Sequence, residues 1–137
     1  MRSPIVLGVL LLVLFGAGCA KQLPLVLNYD REPIPSKIDG THYNVEDVQR
    51  AILAACREKG WSANVVEPGV IEASITIRTR HRAKIEIQFS ATHYSIYYKE
   101  SSGLDYRNGR IHSNYNHWVA KLDAAIKNEL GLKTQRF

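Results

Sequence analysis

Cysteine is scarce in this chain of 137 residues, which contains only Cys19 and Cys56. They do not form a C-x-x-C pair, so the sequence has neither a thioredoxin-like redox motif nor paired zinc-binding thiols. The five histidines lack the H-E-x-x-H spacing of a helical metal site. A G-x-S-x-G turn, which would present a nucleophilic serine, is absent as well. We therefore expect no metal, no cofactor and no enzymatic activity.

The sequence also lacks an apolar run long enough to span a membrane. Residues 4–17 are all apolar or glycine, about 14 residues in total, whereas a membrane-spanning helix needs about 20. Arg2 precedes this run, and the small residues Gly16, Ala17 and Gly18 lie at its end. This order is typical of a secretory signal.

The stretch LFGAGC, which ends at Cys19, resembles the cleavage site of bacterial lipoprotein precursors. The resemblance implies that residues 1–18 are a signal peptide and that Cys19 carries a diacyl thioether and an acylated amino group. Several acyl chains anchor a protein stably to a bilayer, whereas one chain binds only marginally. Ala20, in place of the Asp of inner-membrane lipoproteins, implies the outer membrane, with the domain facing the periplasm. The alternatives are an uncleaved apolar N-terminus, or ordinary signal cleavage with Cys19 incidental.

The remaining 119 of the 137 residues suit one small domain. We expect residues 19–40 to form a lipidated N-terminus and a proline-containing tether, and residues 41–137 to form a single α+β domain. The PLVLN stretch, residues 24–28, is too apolar for a pure linker and is expected to form an edge strand or to dock in a groove. Cys56 lies on the apolar stripe of a predicted helix, so we interpret it as a core residue.

Hydrophobic periodicity predicts two helices separated by strands. A period of 3.6 gives helices at about 45–59 and 114–130, and Asn44 is a suitable N-cap for the first. Between them apolar and polar residues alternate, which indicates strands with one buried and one solvated face. We therefore predict a two-layer α+β sandwich of α-β-β-β-β-α order, in which both helices cover one face of a four-stranded antiparallel sheet.

The densest charge cluster is RTRHRAK, at a predicted hairpin turn between two strands. Arginine presents a planar fork of donors that fits phosphate groups. A possible anion-binding site therefore comprises Arg78, Arg80, His81, Arg82 and Lys84. The alternative is a solvated turn whose basic residues discourage pairing between sheet edges.

A second candidate is a partner-binding surface on the open face of the sheet and in the loop that follows it. Tyr97 is predicted to project from that face near His93 and Lys99, and the loop adds Arg107 and Arg110. Aromatic and basic groups on an open sheet can bind a partner chain or a glycan. Tyrosine also suits strands without any such role.

Together these features predict a lipid-anchored cell-envelope lipoprotein that acts as a non-enzymatic binding or scaffold module. The sequence is also similar to small envelope lipoproteins of unassigned activity, through Gly60-Trp61 and the stretch IHSNYNHW. Expected partners are the membrane, through the anchor, an anionic envelope polymer or lipid headgroup, and a protein; nucleic acid is not expected for an exported chain. The alternatives are a structural subunit of an outer-membrane complex, and a small envelope hydrolase that would use Ser101 or Ser102 with His112 or His117.

Overall fold

The structure is a computed structural model that describes Gly18 and residues 21–131. The predicted signal peptide up to residue 17, and the predicted lipidation site Cys19, lie outside the described residues. Within the described part of the chain, no helix is long and apolar enough to cross a membrane. In chain order the elements are β1 Tyr29–Pro33, α1 Val45–Glu58, β2 Ser62–Glu67, β3 Val70–Ile77, β4 His81–Phe89, β5 His93–Ser102 and α2 Ser113–Glu129.

The α+β class is confirmed, but the sheet has five strands rather than the predicted four. All neighbours are antiparallel, in the order β1-β5-β4-β3-β2. The additional strand is β1, which lies in the segment expected to be a tether. Its pairing with β5 contains an irregularity between Tyr29 and Glu32, and its polar composition gives no clean alternation. Pro33 ends the strand at the sheet edge, where a residue without an N–H is tolerated.

The two helices begin and end close to the predicted positions. In α1 the Asn44 side chain accepts a hydrogen bond from the Asp47 N–H at 2.7 Å, and both acids of the first turn complement the helix dipole. Gly60 follows α1 with φ +81°, a conformation that glycine adopts without strain. In α2 the N-cap is His112, and its Nδ1 accepts from the Asn114 N–H at 3.2 Å.

The hydrophobic core lies between the two helices and one face of the sheet. The helices pack against each other, and both contribute to the same buried cluster as the inward-facing strand residues. Cys56 is fully buried there, as predicted, and Trp61 is buried beside it in the cluster. Each large apolar side chain that is fully buried stabilises the fold by about 1.5–3 kcal/mol relative to exposure. The large side chains of the strands that are fully buried are Ile71, Ile85, Ile87, Tyr94 and Ile96.

Candidate functional site

The sheet face opposite the helices carries a network of ion pairs across three strands, which we call the lysine–glutamate ladder. It comprises Glu72, Lys84, Glu86, Lys99 and Glu100. Lys99 Nζ lies 2.9 Å from Glu72 and 3.4 Å from Glu86, and Lys84 Nζ lies 3.3 Å from both Glu72 and Glu100. Hydrogen bonds from Lys99 and Lys84 lower the pKa of Glu72, and those to Glu100 and Glu72 raise the pKa of Lys84. Both lysines are therefore already compensated by carboxylates.

A β-bulge in β5 places two consecutive residues of the ladder on the same face. Lys84 pairs with Glu100, whereas Ile85 pairs with Tyr98, so Lys99 is the extra residue. Because of the bulge, Lys99 and Glu100 both reach the exposed face, while Tyr98 points inward and forms an edge-to-face contact with Tyr115 of α2.

Beside the ladder, β3 and β4 are joined by a tight turn, which we call the arginine turn and define as residues 78–82. The Arg80 N–H donates to the Ile77 carbonyl at 3.3 Å. Arg78 and Thr79, the two central residues, have φ values of +52° and +58°. Positive φ at both positions is typical of type I′ hairpin turns, which favour Asn-Gly. A β-branched threonine there is strained, and such strain often coincides with a functional constraint.

The guanidinium groups of the arginine turn have no ion-pair partner among the described residues. The ion pairs in this part of the chain involve other basic groups, and Lys84 is the one member of the predicted anion site that belongs to them. Arg78, Arg80 and Arg82 are exposed. His81 is held in place, because its Nδ1 lies 2.8 Å from the Gly103 carbonyl oxygen. The structure thus divides the predicted anion site into a compensated lysine, a histidine held by the Gly103 carbonyl, and three arginines without an ion-pair partner among the described residues.

The loop that follows β5, residues 103–112, lies directly against the arginine turn. A Cβ atom placed on Gly103 would be 2.3 Å from the Arg80 carbonyl oxygen, and Gly103 has φ +72°. Both the spacing and the backbone conformation therefore require glycine at this position. The turn and the β5–α2 loop are packed as one unit.

A shallow depression of about 360 Å³ lies where β3, β4 and β5 meet next to the arginine turn. Ile75 and Ala83 also line it, but their side chains are buried in the core. The side chains available to a ligand are therefore those of the opposite face. They provide hydroxyl, guanidinium and ammonium donors, with one carboxylate: Ser74, Thr76, Arg82, Lys84, Glu100 and Ser102.

The residues of the predicted partner-binding surface are spread along the sheet and the loop rather than gathered at one point. His93 is at the start of β5, with its Nδ1 3.0 Å from the Thr92 hydroxyl. Tyr97 donates a hydrogen bond to Asp30 of β1. Lys99 belongs to the ladder.

The two arginines of the β5–α2 loop lie near the N-terminal segment. Arg107 and Arg110 exchange backbone hydrogen bonds of 2.9 Å around Asn108-Gly109. The Arg110 side chain also donates to the Leu23 carbonyl at 2.8 Å. Both arginines line a depression of about 480 Å³ together with Gln22, Leu23, Asp105, Tyr106 and Asn108.

The apolar PLVLN stretch lies on the domain surface and is held there by side-chain amides. The Asn116 side chain of α2 accepts from the Leu27 N–H and donates to the Leu25 carbonyl, each at 2.9 Å. The Asn28 side chain accepts from the Tyr98 N–H at 2.9 Å. These contacts lead the chain into β1 and hold residues 25–28 against the domain.

The serine and histidine residues of the hydrolase alternative have other partners in the structure. The Ser101 hydroxyl lies 2.8 Å from the Tyr98 hydroxyl, and His112 caps α2. Among residues 21–131, no hydrogen bond links Ser101 or Ser102 to His112 or His117. The same part of the chain contains no group of three or more His, Cys, Asp or Glu residues that could hold a metal ion.

A partly buried polar network links β1 and β5 to α2. Tyr94 donates to Asp123 at 2.5 Å, and Lys127 Nζ lies 2.9 Å from Asp123 and 3.3 Å from Glu32. Burial alone would lower the pKa of Lys127, but the two carboxylates outweigh it and raise the pKa. This network is not apparent in the sequence, although the i, i+4 spacing of Asp123 and Lys127 is a signal for that pair.

The carboxylates of the ladder were also missed. Glu72, Lys84 and Glu86 are all outward-facing positions of the predicted strands, so alternating charge across neighbouring strands was a signal for them. No family model, curated protein or solved structure matches the chain. Its function therefore has to be inferred from its own residues and contacts.

Proposed function

We propose that this chain is a non-enzymatic binding module of the bacterial cell envelope, anchored to the outer membrane by lipid on Cys19, and that it binds an anionic ligand through the arginine turn. The observation that carries the anion-binding part is the contrast between the basic groups of the sheet. Lys84 and Lys99 each contact two glutamates, whereas Arg78, Arg80 and Arg82 contact no carboxylate in the described chain.

Uncompensated arginines on a rigid turn suit recognition of phosphate or carboxylate groups. Each guanidinium can form two parallel hydrogen bonds to such a group, and these are stronger than bonds between neutral groups. The turn is fixed on one side by the hairpin and on the other by the contact of Gly103 with Arg80. The neighbouring depression adds hydroxyl donors from Ser74, Thr76 and Ser102.

Titration with inorganic polyphosphate tests the anion site. Replacing Arg80 and Arg82 with glutamine should weaken binding about tenfold or more, because each charge-assisted hydrogen bond is worth about 1.5–3 kcal/mol. The matched control replaces Arg57 and Lys121 with glutamine. Both residues are exposed on the helices, and their replacement removes the same amount of charge. Equal weakening in both variants would indicate that only net charge matters, and the proposed site would be wrong.

Cell fractionation and mass spectrometry test the anchor independently of the ligand. The wild-type chain should sediment with the outer membrane and begin at an acylated Cys19. The Cys19→Ser chain should be released from the outer membrane or mislocalised. An intact leader peptide or an unmodified thiol at residue 19 would contradict the anchor, whatever the polyphosphate titration shows.

The exposed edge of β2 favours a second candidate function, that of a structural subunit in an outer-membrane complex. Among the strands of the described residues, β2 pairs only with β3, and its residues Val65 and Val66 are 42% and 54% exposed. An apolar edge strand of this kind can pair with a strand of another protein. A photocrosslinker at residue 66 should then give one discrete protein adduct in intact cells, whereas a crosslinker at residue 121 should not.

A further inference from the structure

The N-terminal segment is attached to the domain from residue 23 onward. Leu23 accepts a hydrogen bond from the Arg110 side chain, and the Pro24 carbonyl accepts from the Ile111 N–H at 3.0 Å. The Val26 N–H donates to the Gly109 carbonyl at 2.8 Å. The expected lipid on Cys19 is therefore separated from the first bound residue by only four positions.

Such a short linker restricts the orientation of the domain. Four residues span at most about 14 Å when fully extended. A domain of about 100 residues has a radius of gyration of about 13 Å, so its diameter is well above this length. The end of the domain that contains Leu23 must therefore lie close to the bilayer if the lipid is present.

The arginine turn is at that same end. The β5–α2 loop contacts the N-terminal segment through Ile111 and Pro24, and contacts the turn where Gly103 meets Arg80 and His81. The strand directions agree, because β5 runs toward this loop while β4 starts at the turn.

This end of the domain is rich in basic residues. The β5–α2 loop contains Asp105 as its one acid, and Glu100 at the end of β5 is paired with Lys84. A planar anionic surface would meet the basic side chains together, without closing around any one of them. The basic residues that the turn, the loop and the N-terminal segment contribute at this end are Lys21, Arg78, Arg80, Arg82, Arg107 and Arg110.

The geometry points to anionic phospholipid headgroups of the anchoring membrane itself as the ligand of the arginine turn. This inference rests on the proposed anchor and specifies the anionic ligand of the proposed function. Acyl chains and arginines then act on one bilayer, so the headgroup contacts form at a high effective concentration. The domain lies on the membrane by its arginine turn, and the β2–β3 turn at the opposite end faces away.

Depth-dependent fluorescence quenching tests this orientation. The full chain, with its acyl chains verified by mass spectrometry, is placed in phosphatidylcholine vesicles with or without phosphatidylglycerol and a headgroup-spin-labelled lipid. A fluorophore is attached at Thr79→Cys in the turn, or at Val66→Cys near the far end of the sheet. Because Cys56 is fully buried, labelling is confined to the introduced cysteine. We expect strong quenching at residue 79, weak quenching at residue 66, and a smaller difference without phosphatidylglycerol.

The contribution of the arginines is tested by measuring how a chain without the acyl chains on residue 19 binds to anionic vesicles. Each basic residue near an anionic surface increases binding about fivefold. For the Cys19→Ser chain, replacing Arg80 and Arg82 with glutamine should lower partitioning onto phosphatidylglycerol vesicles about 25-fold. A control variant in which Arg31 and Lys121 are replaced should lower it by less than about threefold, because β1 pairs with the start of β5, at the end of the sheet away from the turn.

The outcomes separate this inference from the proposed function. Equal quenching at residues 79 and 66 in the acylated chain would overturn the membrane orientation and leave the anchor standing. If that chain also bound inorganic polyphosphate through Arg80 and Arg82, the ligand would be a free polyanion. Absence of acyl chains would overturn both the anchor and the orientation that follows from it.

Discussion

The hydroxyl group of Tyr94 on β5 donates a hydrogen bond to the carboxylate of Asp123 on α2, and both residues are buried. Burial and this hydrogen bond raise the pKa of Tyr94 far above its usual value. Lys127 contacts the same carboxylate, so the charge of Asp123 is compensated within the protein. The Tyr94–Asp123 pair connects β5, the last strand in chain order, to α2, one of the two helices that cover the sheet.

We expect Tyr94→Phe to lower the free energy of unfolding by about 1–2 kcal/mol, because a buried carboxylate then loses one hydrogen bond. Urea denaturation measures this change. Tyr97→Phe is the matched control, since it removes a hydroxyl bonded to Asp30 on the opposite, exposed face. A change below about 0.5 kcal/mol is expected there. Equal losses in the two variants would contradict a special role for the buried pair.

The burial of Cys56 predicts that its thiol is chemically inert in the folded protein. Burial raises its pKa to about 12, so almost no thiolate forms at neutral pH. In the Cys19→Ser chain, where Cys56 is the one remaining cysteine, a thiol reagent such as Ellman's reagent should react only after denaturant is added. Val66→Cys in the same background provides an exposed thiol for comparison. Rapid modification of Cys56 in the native chain would show that this part of the core opens readily.

Ile75→Asp should unfold the domain, because Ile75 is 5% exposed and faces the core. Thr76→Asp is the control, since Thr76 is exposed on the other face of the same strand. Circular dichroism should show loss of structure in the first variant and a native spectrum in the second. The reverse result would mean that the two faces of β3 are interchanged.

The lysine–glutamate ladder predicts a loss of stability in acid. The pKa of Glu72 is lowered below its usual value of 4.5 by Lys99 and Lys84. A carboxyl group whose pKa is lower in the native state than in the unfolded state stabilises the fold at pH values above its unfolded-state pKa. This stabilisation is lost as the pH falls through the native-state pKa. When melting temperatures are measured from pH 7 to pH 3, the melting temperature should therefore decrease once the pH is below about 4.5.

Glu72→Gln should flatten this acid-side slope. The control is Glu129→Gln, an exposed position of α2 without an ion pair in the described chain. If the Glu72 variant keeps the wild-type slope, the ladder contributes nothing measurable in solution. High salt should weaken the ladder in the wild-type chain, because exposed ion pairs are screened.

The strained turn predicts a stabilising substitution. Thr79→Gly places a residue that accepts positive φ at the second central position, and should stabilise the hairpin by about 1 kcal/mol. The three arginines of the turn are unchanged, so binding of polyphosphate should be retained. Thermal melts and the titration together test whether strain and binding are separable. A loss of stability would show that Thr79 makes a contribution that its backbone conformation does not reveal.

Much of the architecture could be predicted from periodicity, and what could not was set by pairing between distant residues. Helix α1 was predicted because Asn44, the acids of its first turn and Gly60 are local signals. Strand β1 was missed because Tyr29 and Glu32 pair with β5 across a bulge, which leaves no alternation in the sequence.

The candidate site shows the same division. The arginine turn was visible as a run of charge, and its hairpin position was predicted. Its separation from Lys84 was not, because the carboxylates of Glu72 and Glu100 come from other strands and reach Lys84 only through the sheet register. The five basic residues that are neighbours in the sequence therefore do not form one uniform site, because three arginines alone lack both an ion-pair partner and the backbone contact of His81 among the described residues.

The missing side chain at residue 103 couples two surface segments that are 22 residues apart in sequence. With the Arg80 carbonyl oxygen filling the place of a Cβ atom, an alanine at Gly103 would have to push the turn and the loop apart. Substitutions that change the backbone of the turn must therefore be compatible with the backbone of the loop, and the reverse also holds. Insertions in either segment should be tolerated only with a compensating change in its neighbour.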